Sequence, residues 1–216
     1  MRWLVVGALR VEVSPLLWRL RDVETLSPRF QHGQHPQHPT VQVGVLRCGV
    51  GPQKAYDQTV QALSTWAPDA IVSMGTCGAL HDALQIGDIR TARSLFEDQV
   101  PVPNMTPFPH SKVASVTTVD RPCWTPERRH ELRQTGADLV EMEAAAVARA
   151  GRDCNPSIPV HALKVVSDQA GGSPDTVFRS NGIPTPLHIM RFKFRALKLC
   201  HHRLVPALLP LLTESG

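Results

Sequence analysis

The 216-residue sequence lacks the features that mark several specialised classes of protein. It has no run of about 18 apolar residues, so no transmembrane helix is expected. Its N-terminal apolar run is too short for a signal peptide. The five cysteines form no CxxC pair and are odd in number, which argues against a zinc site and against a disulfide framework. These absences predict a cytoplasmic protein with no stable membrane insertion and no bound metal.

The sequence also lacks a large excess of positive or negative charge. The net charge is +4 with His neutral, and most Lys and Arg residues are scattered, so nucleic acid is not an expected partner. The one basic concentration lies between Arg191 and Arg203. We interpret it as the solvated face of a C-terminal helix, the alternative being a surface that binds nucleic acid or an anionic membrane.

Apolar segments with strand character alternate with segments of helical spacing, which is typical of an α/β fold. Strands are predicted over residues 3–6, 41–46, 70–74, 113–119, 139–140 and 160–166. Helices are predicted to begin near Glu12, Pro52, Thr125 and Met142, with a last helix or helix pair over 187–213. Irregular structure is predicted for residues 27–40, 97–112 and, as a mobile segment, 169–186. The length suits one domain over residues 1–216.

Carboxylates gather where predicted strands end. Glu141 and Glu143 follow one apolar strand, and Asp168 follows another through Ser167. An α/β protein that collects acids at the C-terminal ends of its strands usually binds or converts a ligand there. Each acid also has a structural interpretation, because carboxylates are common in first helical turns and as N-caps. Three acids together predict a ligand that is rich in hydroxyls and has a nitrogen to protonate.

Two further segments can contribute to such a site. Gly75 to Gly78 follow the central strand, and a glycine-rich turn exposes backbone N–H groups to a ligand. A tight turn without a ligand is the alternative. Cys77 within it is interpreted as a small buried thiol rather than a nucleophile. Glu12, just after the first strand, is either a functional acid or a residue that suits the start of a helix.

Taken in order, several segments resemble the nucleoside phosphorylase/nucleosidase superfamily, and most closely its 5′-methylthioadenosine/S-adenosylhomocysteine nucleosidases. The likeness covers about residues 2–90 and 115–170. The segments that carry it are Gly7-Ala8-Leu9-Arg10-Val11-Glu12-Val13, Cys48-Gly49-Val50-Gly51, Gly75-Thr76-Cys77-Gly78-Ala79, Gly87-Asp88-Ile89, Val140-Glu141-Met142-Glu143-Ala144 and Val166-Ser167-Asp168. The resemblance implies a single α/β domain with a mixed central sheet flanked by helices, a homodimer, a small nucleoside as substrate and no cofactor.

The resemblance also implies roles for residues that match the family's motifs. Asp168 would be the general acid that protonates N7 of the leaving purine, and Glu12 would orient or deprotonate the attacking water. Glu143 would accept hydrogen bonds from the ribose hydroxyls. The remaining substrate-binding residues would be Met142 against the sugar, Thr76 and Cys77 beside the ribose and base, Ser167 holding Asp168, and Gly75, Gly78, Val119 and Glu141 without a firmer role.

Phosphorolysis is the alternative reaction within the superfamily. A phosphate nucleophile needs cationic donors, and the phosphorylases carry an Arg where this sequence has Ser73. Glu12 would repel a phosphate dianion, so hydrolysis is favoured, although Arg10 and Arg47 lie close enough in sequence to supply charge. Residues 116–122 look more like the hopanoid-associated branch, thought to act on an adenosyl-linked lipid, and Trp124 is the candidate for the ring that stacks on the base. A catalytically silent nucleoside-binding protein is the remaining alternative.

Overall fold

The computed structural model describes residues 1–97, 100–102, 105–123, 125–169 and 186–214. Within these ranges the chain forms ten strands and six α-helices. The strands are β1 (Arg2–Gly7), β2 (Arg21–Ser27), β3 (Phe30–Gln34), β4 (Gln42–Arg47), β5 (Ala70–Ala79), β6 (Ile89–Glu97), β7 (Val100–Val102), β8 (Val113–Thr118), β9 (Leu139–Glu141) and β10 (Val160–Asp168). The helices are α1 (Arg10–Leu17), α2 (Pro52–Leu63), α3 (Pro126–Gln134), α4 (Ala144–Cys154), α5 (Pro186–Leu199) and α6 (Val205–Glu214), with a π-helical turn at Cys200–Leu204 between the last two.

The strands form one mixed sheet, as the resemblance predicted. Its order is β10-β6-β8-β9-β5-β1-β4-β3-β2, with β7 beside β6. β10 also pairs with β5, so five of the strands close into a ring. β5 pairs in parallel with β1 and β10 and antiparallel with β9. The ring therefore brings the C-terminal ends of β5 and β10 together at one edge.

Helices cover both faces of the sheet because alternate side chains of its strands point to opposite sides. On β1, Leu4 and Val6 join a core with α2 and α4, whereas Trp3 and Val5 join a second core with α1 and α6. All four side chains are fully buried. The α/β prediction is confirmed, and the short apolar run at the N-terminus is explained by burial on both faces.

Three sequence predictions of local structure are wrong. Residues 97–112 were expected to be irregular, but β7 lies inside this range and pairs antiparallel with β6. Residues 27–40 were expected to be irregular, but β3 lies inside this range and pairs antiparallel with β4 and with β2, a strand that the pattern did not indicate. Every residue of β2 is exposed, so an edge hairpin tolerates polar side chains that carry no apolar alternation. The expected turn at Gly75 is instead strand, because β10 continues the ladder through Lys164↔Gly75, Val165↔Thr76 and Val166↔Cys77.

The predicted helices are confirmed with small shifts of their ends. Thr125 caps α3 by accepting a hydrogen bond from the backbone N of Arg128 at 3.2 Å, and Pro126 follows at the first helical position. α4 begins at Ala144 rather than Met142. Most of the segment 169–186 lies outside the described residues. No helix in the described ranges has the length and apolar content needed to cross a bilayer.

Candidate active site

A cavity of about 290 Å³ lies where β5, β9 and β10 end and α1 begins. This volume is near the lower end of small-molecule pockets. Ten of the eleven predicted site residues line the cavity: Glu12, Thr76, Cys77, Gly78, Val119, Glu141, Met142, Glu143, Ser167 and Asp168. The remaining wall comes from Ala8, Leu9, Val50, Pro122, Cys123, Arg129, Val140, Ile189, Phe192 and Lys193. The fold thus gathers side chains that are separated by more than 150 positions in the sequence.

Gly75 is the predicted site residue that does not line the cavity. A Cβ atom at this position would lie 3.0 Å from Oε1 of Glu12, so the glycine leaves room for that carboxylate. Glu12 is 3 % exposed, and its Oε1 accepts hydrogen bonds from the backbone N and the Oγ1 of Thr76, both at 2.8 Å. Oε2 accepts from the backbone N of Leu9 at 3.0 Å. Gly75 therefore leaves space for the Glu12 carboxylate, which the hydrogen bonds from Thr76 and Leu9 hold in place.

Glu141 lines the cavity, but its carboxylate also binds several groups of the protein. Its carboxylate accepts hydrogen bonds from the backbone N of Ala144 at 2.9 Å and of Glu143 at 3.1 Å, and from the hydroxyl of Thr118. Its Oε2 also lies 2.8 Å from Nζ of Lys164, and both side chains are almost completely buried. The carboxylate therefore satisfies the start of α4 and a buried cation at the same time.

Lys164 is a charged residue that the sequence reasoning missed. It lies in the middle of β10, 2 % exposed, and its Nζ donates to Oγ of Ser73 at 3.1 Å as well as to Glu141. Burial lowers its pKa, but the charges of Glu141, Glu143 and Glu12 and the hydrogen bond to Glu141 together raise it, so the net shift is upward. The sequence did contain a signal for this residue, which is a lysine within a predicted apolar strand. Such a lysine is buried, and a buried amine needs a carboxylate partner.

The side-chain carboxyl group of Glu143 lies at the cavity wall and accepts one hydrogen bond from the described residues. Its Oε1 accepts from the backbone N of Gly51 at 2.9 Å. Burial and then the charge of Glu141 raise its pKa to about 8, while Lys164 and the Gly51 hydrogen bond act in the opposite direction. A carboxyl group with oxygen capacity left over can accept hydrogen bonds from ligand hydroxyls.

Asp168 is held from two sides. Its Oδ1 accepts from Oγ of Ser167 at 2.8 Å, and its Oδ2 pairs with the guanidinium of Arg129. Gly78 makes this arrangement possible, because a Cβ atom there would lie 3.0 Å from Oδ2 of Asp168 and 3.2 Å from Cγ1 of Val140. The side chain of Asp168 remains 38 % exposed. It is therefore an oriented carboxyl group that still faces the cavity.

Arg129 was also missed by sequence reasoning. Besides Asp168, its guanidinium donates to the carbonyl oxygens of Gln169 at 2.8 Å, Ala79 at 3.3 Å and Cys123 at 3.3 Å. These contacts tie α3 to the ends of β5 and β10. No local pattern marks this arginine, since α3 carries several charged residues and only the fold shows which one points inward.

The sequence analysis also made predictions about Cys77, about Arg10 and Arg47, and about Trp124. Burial raises the pKa of the Cys77 thiol above its ordinary value, in agreement with an inert buried thiol. Arg10 and Arg47 line a separate surface pocket with Arg29, so they do not supply charge to the cavity described above. Trp124 lies outside the described residues.

The sequence of this chain is similar to those of known proteins. A profile described as the phosphorylase superfamily matches residues 2–113 and 108–183. The chain belongs to the phosphorylase superfamily. Curated relatives include 5′-methylthioadenosine/S-adenosylhomocysteine nucleosidases from Bacillus velezensis, 26 % identical over 93 % of this chain and all of the relative, and from Tolumonas auensis, 24 % identical over 81 % of this chain and 89 % of the relative.

Solved structures of similar proteins share the fold of this chain. A 5′-methylthioadenosine/S-adenosylhomocysteine nucleosidase from Colwellia psychrerythraea in complex with adenine gives a TM-score of 0.75 at 20 % identity, over 98 % of this chain and 96 % of that one. A futalosine hydrolase from Helicobacter pylori gives a TM-score of 0.76 at 19 % identity, over 99 % and 98 %. At these identities the structural likeness establishes the mixed α/β fold, and the chemistry has to be argued from the cavity.

Proposed function

We propose that this superfamily member hydrolyses the N-glycosidic bond of an adenosine-type nucleoside of the 5′-methylthioadenosine/S-adenosylhomocysteine class. The observation that carries the proposal is the meeting of Glu12, Glu143 and Asp168 around one cavity. Curated relatives that match over most of their length are named as nucleosidases of that class, which supports the same reaction here. The three acids come from three different elements, so their convergence is a property of the fold.

Asp168 is assigned to the leaving base. Breaking the bond builds negative charge on the purine, and a carboxylic acid at N7 neutralises it by proton transfer. In the empty cavity both carboxylate oxygens already have partners, Ser167 and Arg129. For Asp168 to act as the acid, its Oδ2 must release the Arg129 guanidinium and carry the proton that passes to the purine nitrogen, whereas the Ser167 contact can keep the group oriented.

Glu143 and Glu12 are assigned to the sugar side. The ribose becomes oxocarbenium-like as the bond breaks, and nearby carboxylates stabilise that positive charge, as they do in glycoside hydrolysis. Glu143 has free acceptor capacity for the ribose hydroxyls. Glu12, fixed by Thr76 and Leu9, would orient or deprotonate the attacking water. Met142 and Val119 supply apolar wall beside these acids.

Water is proposed as the nucleophile rather than phosphate. Glu12 would repel a phosphate dianion, and the buried cation Lys164 already pairs with Glu141. The basic side chains in the cavity wall are Arg129, which its contacts with the carbonyl oxygens of Ala79 and Gln169 hold beside Asp168, and Lys193. A phosphate site built on bidentate arginine contacts is therefore not supported by the described wall.

A product assay tests the proposal. Purified protein is incubated with a panel of adenosine-type nucleosides, with and without phosphate, and released base and sugar are quantified. We expect adenine and free 5′-substituted ribose at rates independent of phosphate. Asp168→Asn is expected to lower kcat by at least about 100-fold, whereas Asp57→Asn on the exposed side of α2 serves as the matched control.

Other outcomes of that assay lead to different conclusions. Ribose 1-phosphate that appears only with phosphate would replace hydrolysis by phosphorolysis. Nucleoside binding without turnover, unchanged by Asp168→Asn, would indicate the catalytically silent binding protein.

We also propose a homodimer, a single domain over residues 1–216 and a cytoplasmic location. Val50 supports the dimer, because it lines the cavity and is 44 % exposed at its rim, where a second copy could cover it. Light scattering during size-exclusion chromatography should give twice the chain mass of 23.8 kDa. A monomer mass at micromolar concentration would contradict the dimer without affecting the proposed reaction.

A further inference from the structure

The outward side of α5 has an unusual combination of exposed apolar and basic residues. Met190 is 61 % exposed and Phe194 is 70 % exposed, and they lie four residues apart on one ridge of the helix. Lys198 continues this ridge by another four residues, and Arg191 lies next to it; both are exposed. We call Met190, Arg191, Phe194 and Lys198 the outer face of α5.

The opposite side of the helix is fixed on the body of the protein. Ala196 is fully buried, as is Cys200 in the π-helical turn that follows. Arg195 also donates to the carbonyl oxygen of Ser167 at 3.1 Å. α5 is therefore an amphipathic helix that packs on the body of the protein with its apolar ridge pointing outward, and packing against the described residues does not account for that ridge.

The ionisable charge that α5 and the segment after it carry has one sign. The sequence contains no Asp or Glu between Asp175 and Glu214, whereas Arg191, Lys193, Arg195, Lys198 and Arg203 all fall in this interval. Trp18, 61 % exposed at the end of α1, extends the surface with its ring 5.9 Å from that of His201. An exposed apolar ridge with tryptophan nearby and basic residues on both flanks matches a helix that lies in a membrane–water interface.

We propose that the outer face of α5 docks the protein on an anionic lipid surface. Met190 and Phe194 would enter the boundary between headgroups and acyl chains, while Arg191 and Lys198 contact anionic headgroups. Nucleic acid is a weaker match, because phosphate contacts leave the apolar ridge in water. A second copy seated face to face is also disfavoured, because it would bring like charges together.

The surface is adjacent to the cavity but separate from its machinery. Ile189 and Lys193 line the cavity, whereas the four residues of the outer face do not. Docking would therefore place the mouth of the cavity within about one helical turn of the lipid surface. The inference does not depend on the proposed reaction, and a binding measurement tests it alone.

The experiment is sedimentation of the full chain with vesicles of neutral phosphatidylcholine or of phosphatidylcholine with 30 % phosphatidylglycerol, each at low and high salt. We expect binding to the anionic vesicles only, weakened by salt. Arg191→Gln with Lys198→Gln should weaken it about 25-fold, since each basic residue near such a surface contributes about fivefold. Met190→Ser with Phe194→Ser should abolish it. The matched control is Val100→Ser with Arg121→Gln, two exposed residues remote in sequence from α5.

Each contrary result has a definite meaning. Failure to bind anionic vesicles at low salt overturns the proposal, as does binding that the Met190/Phe194 variant leaves unchanged. Equal affinity for duplex DNA, insensitive to the apolar substitutions, would assign the face to nucleic acid. A loss of self-association in the apolar variant, measured by light scattering, would assign it to a second copy. Circular dichroism verifies that the variants fold.

Discussion

The buried pair of Lys164 and Glu141 gives the sharpest prediction about stability. The Nζ to Oε2 distance is 2.8 Å, and the two side chains are 2 % and 1 % exposed. Lys164→Met leaves the Glu141 carboxylate buried without its cation. Removing one partner of a buried pair costs about 3–5 kcal/mol. Because Thr118 and two backbone N–H groups still donate to Glu141, we expect the lower end, about 3 kcal/mol.

Urea unfolding at pH 7 measures this effect. With an m-value of about 2–3 kcal/mol per molar for a chain of this size, the midpoint should fall by about 1–1.5 M. Because the pKa of Lys164 is raised above its ordinary value, the stabilisation is present below that ordinary value and is lost only as the pH rises through the higher folded value. The cost should therefore be constant from pH 6 to pH 7 and grow from pH 7 to pH 9, because Lys164 also lowers the pKa of Glu143, which is about 8. Lys54→Met on the exposed side of α2 is the matched control, with an expected change within about 0.5 kcal/mol.

A double-mutant cycle tests the cause. Glu141→Gln keeps an oxygen acceptor for the start of α4 but removes the negative charge that lies nearest to Lys164. The double variant Lys164→Met with Glu141→Gln carries neither charge, so its cost should be smaller than the sum of the single costs by at least about 2 kcal/mol. Additive costs, or a midpoint shift below about 0.3 M for Lys164→Met, would refute the reasoning.

Three further predictions concern the same region and α3. Glu143 has a pKa raised to about 8 by burial and Glu141, so its proton stabilises the native state at low pH and this contribution is lost as the pH rises from about 4.5 to about 8. Urea unfolding should show Glu143→Gln gaining stability over the wild type across that range; a constant difference would contradict the shift. Gly78→Ala should lower kcat/KM at least about 10-fold by displacing Asp168, because a Cβ atom there lies 3.0 Å from Oδ2; unchanged kinetics would exclude this contact as a constraint. Thr125→Ala should cost about 1 kcal/mol in thermal unfolding through loss of the α3 cap, and Thr125→Ser should restore most of it.

Prediction from the sequence worked best where the pattern is local. The apolar runs of β1 and β10 and the cap-and-proline start of α3 were recognisable because short-range chemistry produces them. It was wrong at the β2–β3 hairpin, whose exposed strand carries no apolar alternation. It also ended β5 too early, because the glycines suggested a turn and the pairing with β10 is invisible in the sequence.

The sequence by itself determined the class of fold, the order of the motifs and the set of acids worth considering. Only the tertiary structure decided which groups surround each acid. Glu141 is taken up by Lys164 and the start of α4, whereas Glu143, two residues later, keeps free acceptor capacity at the cavity wall. The pairing of Arg129 with Asp168 is also set by the tertiary structure, because the two residues lie 39 positions apart in the sequence. Spacing along the chain fixes which side chains can be neighbours within an element, but the partners of a charged group are set by long-range packing.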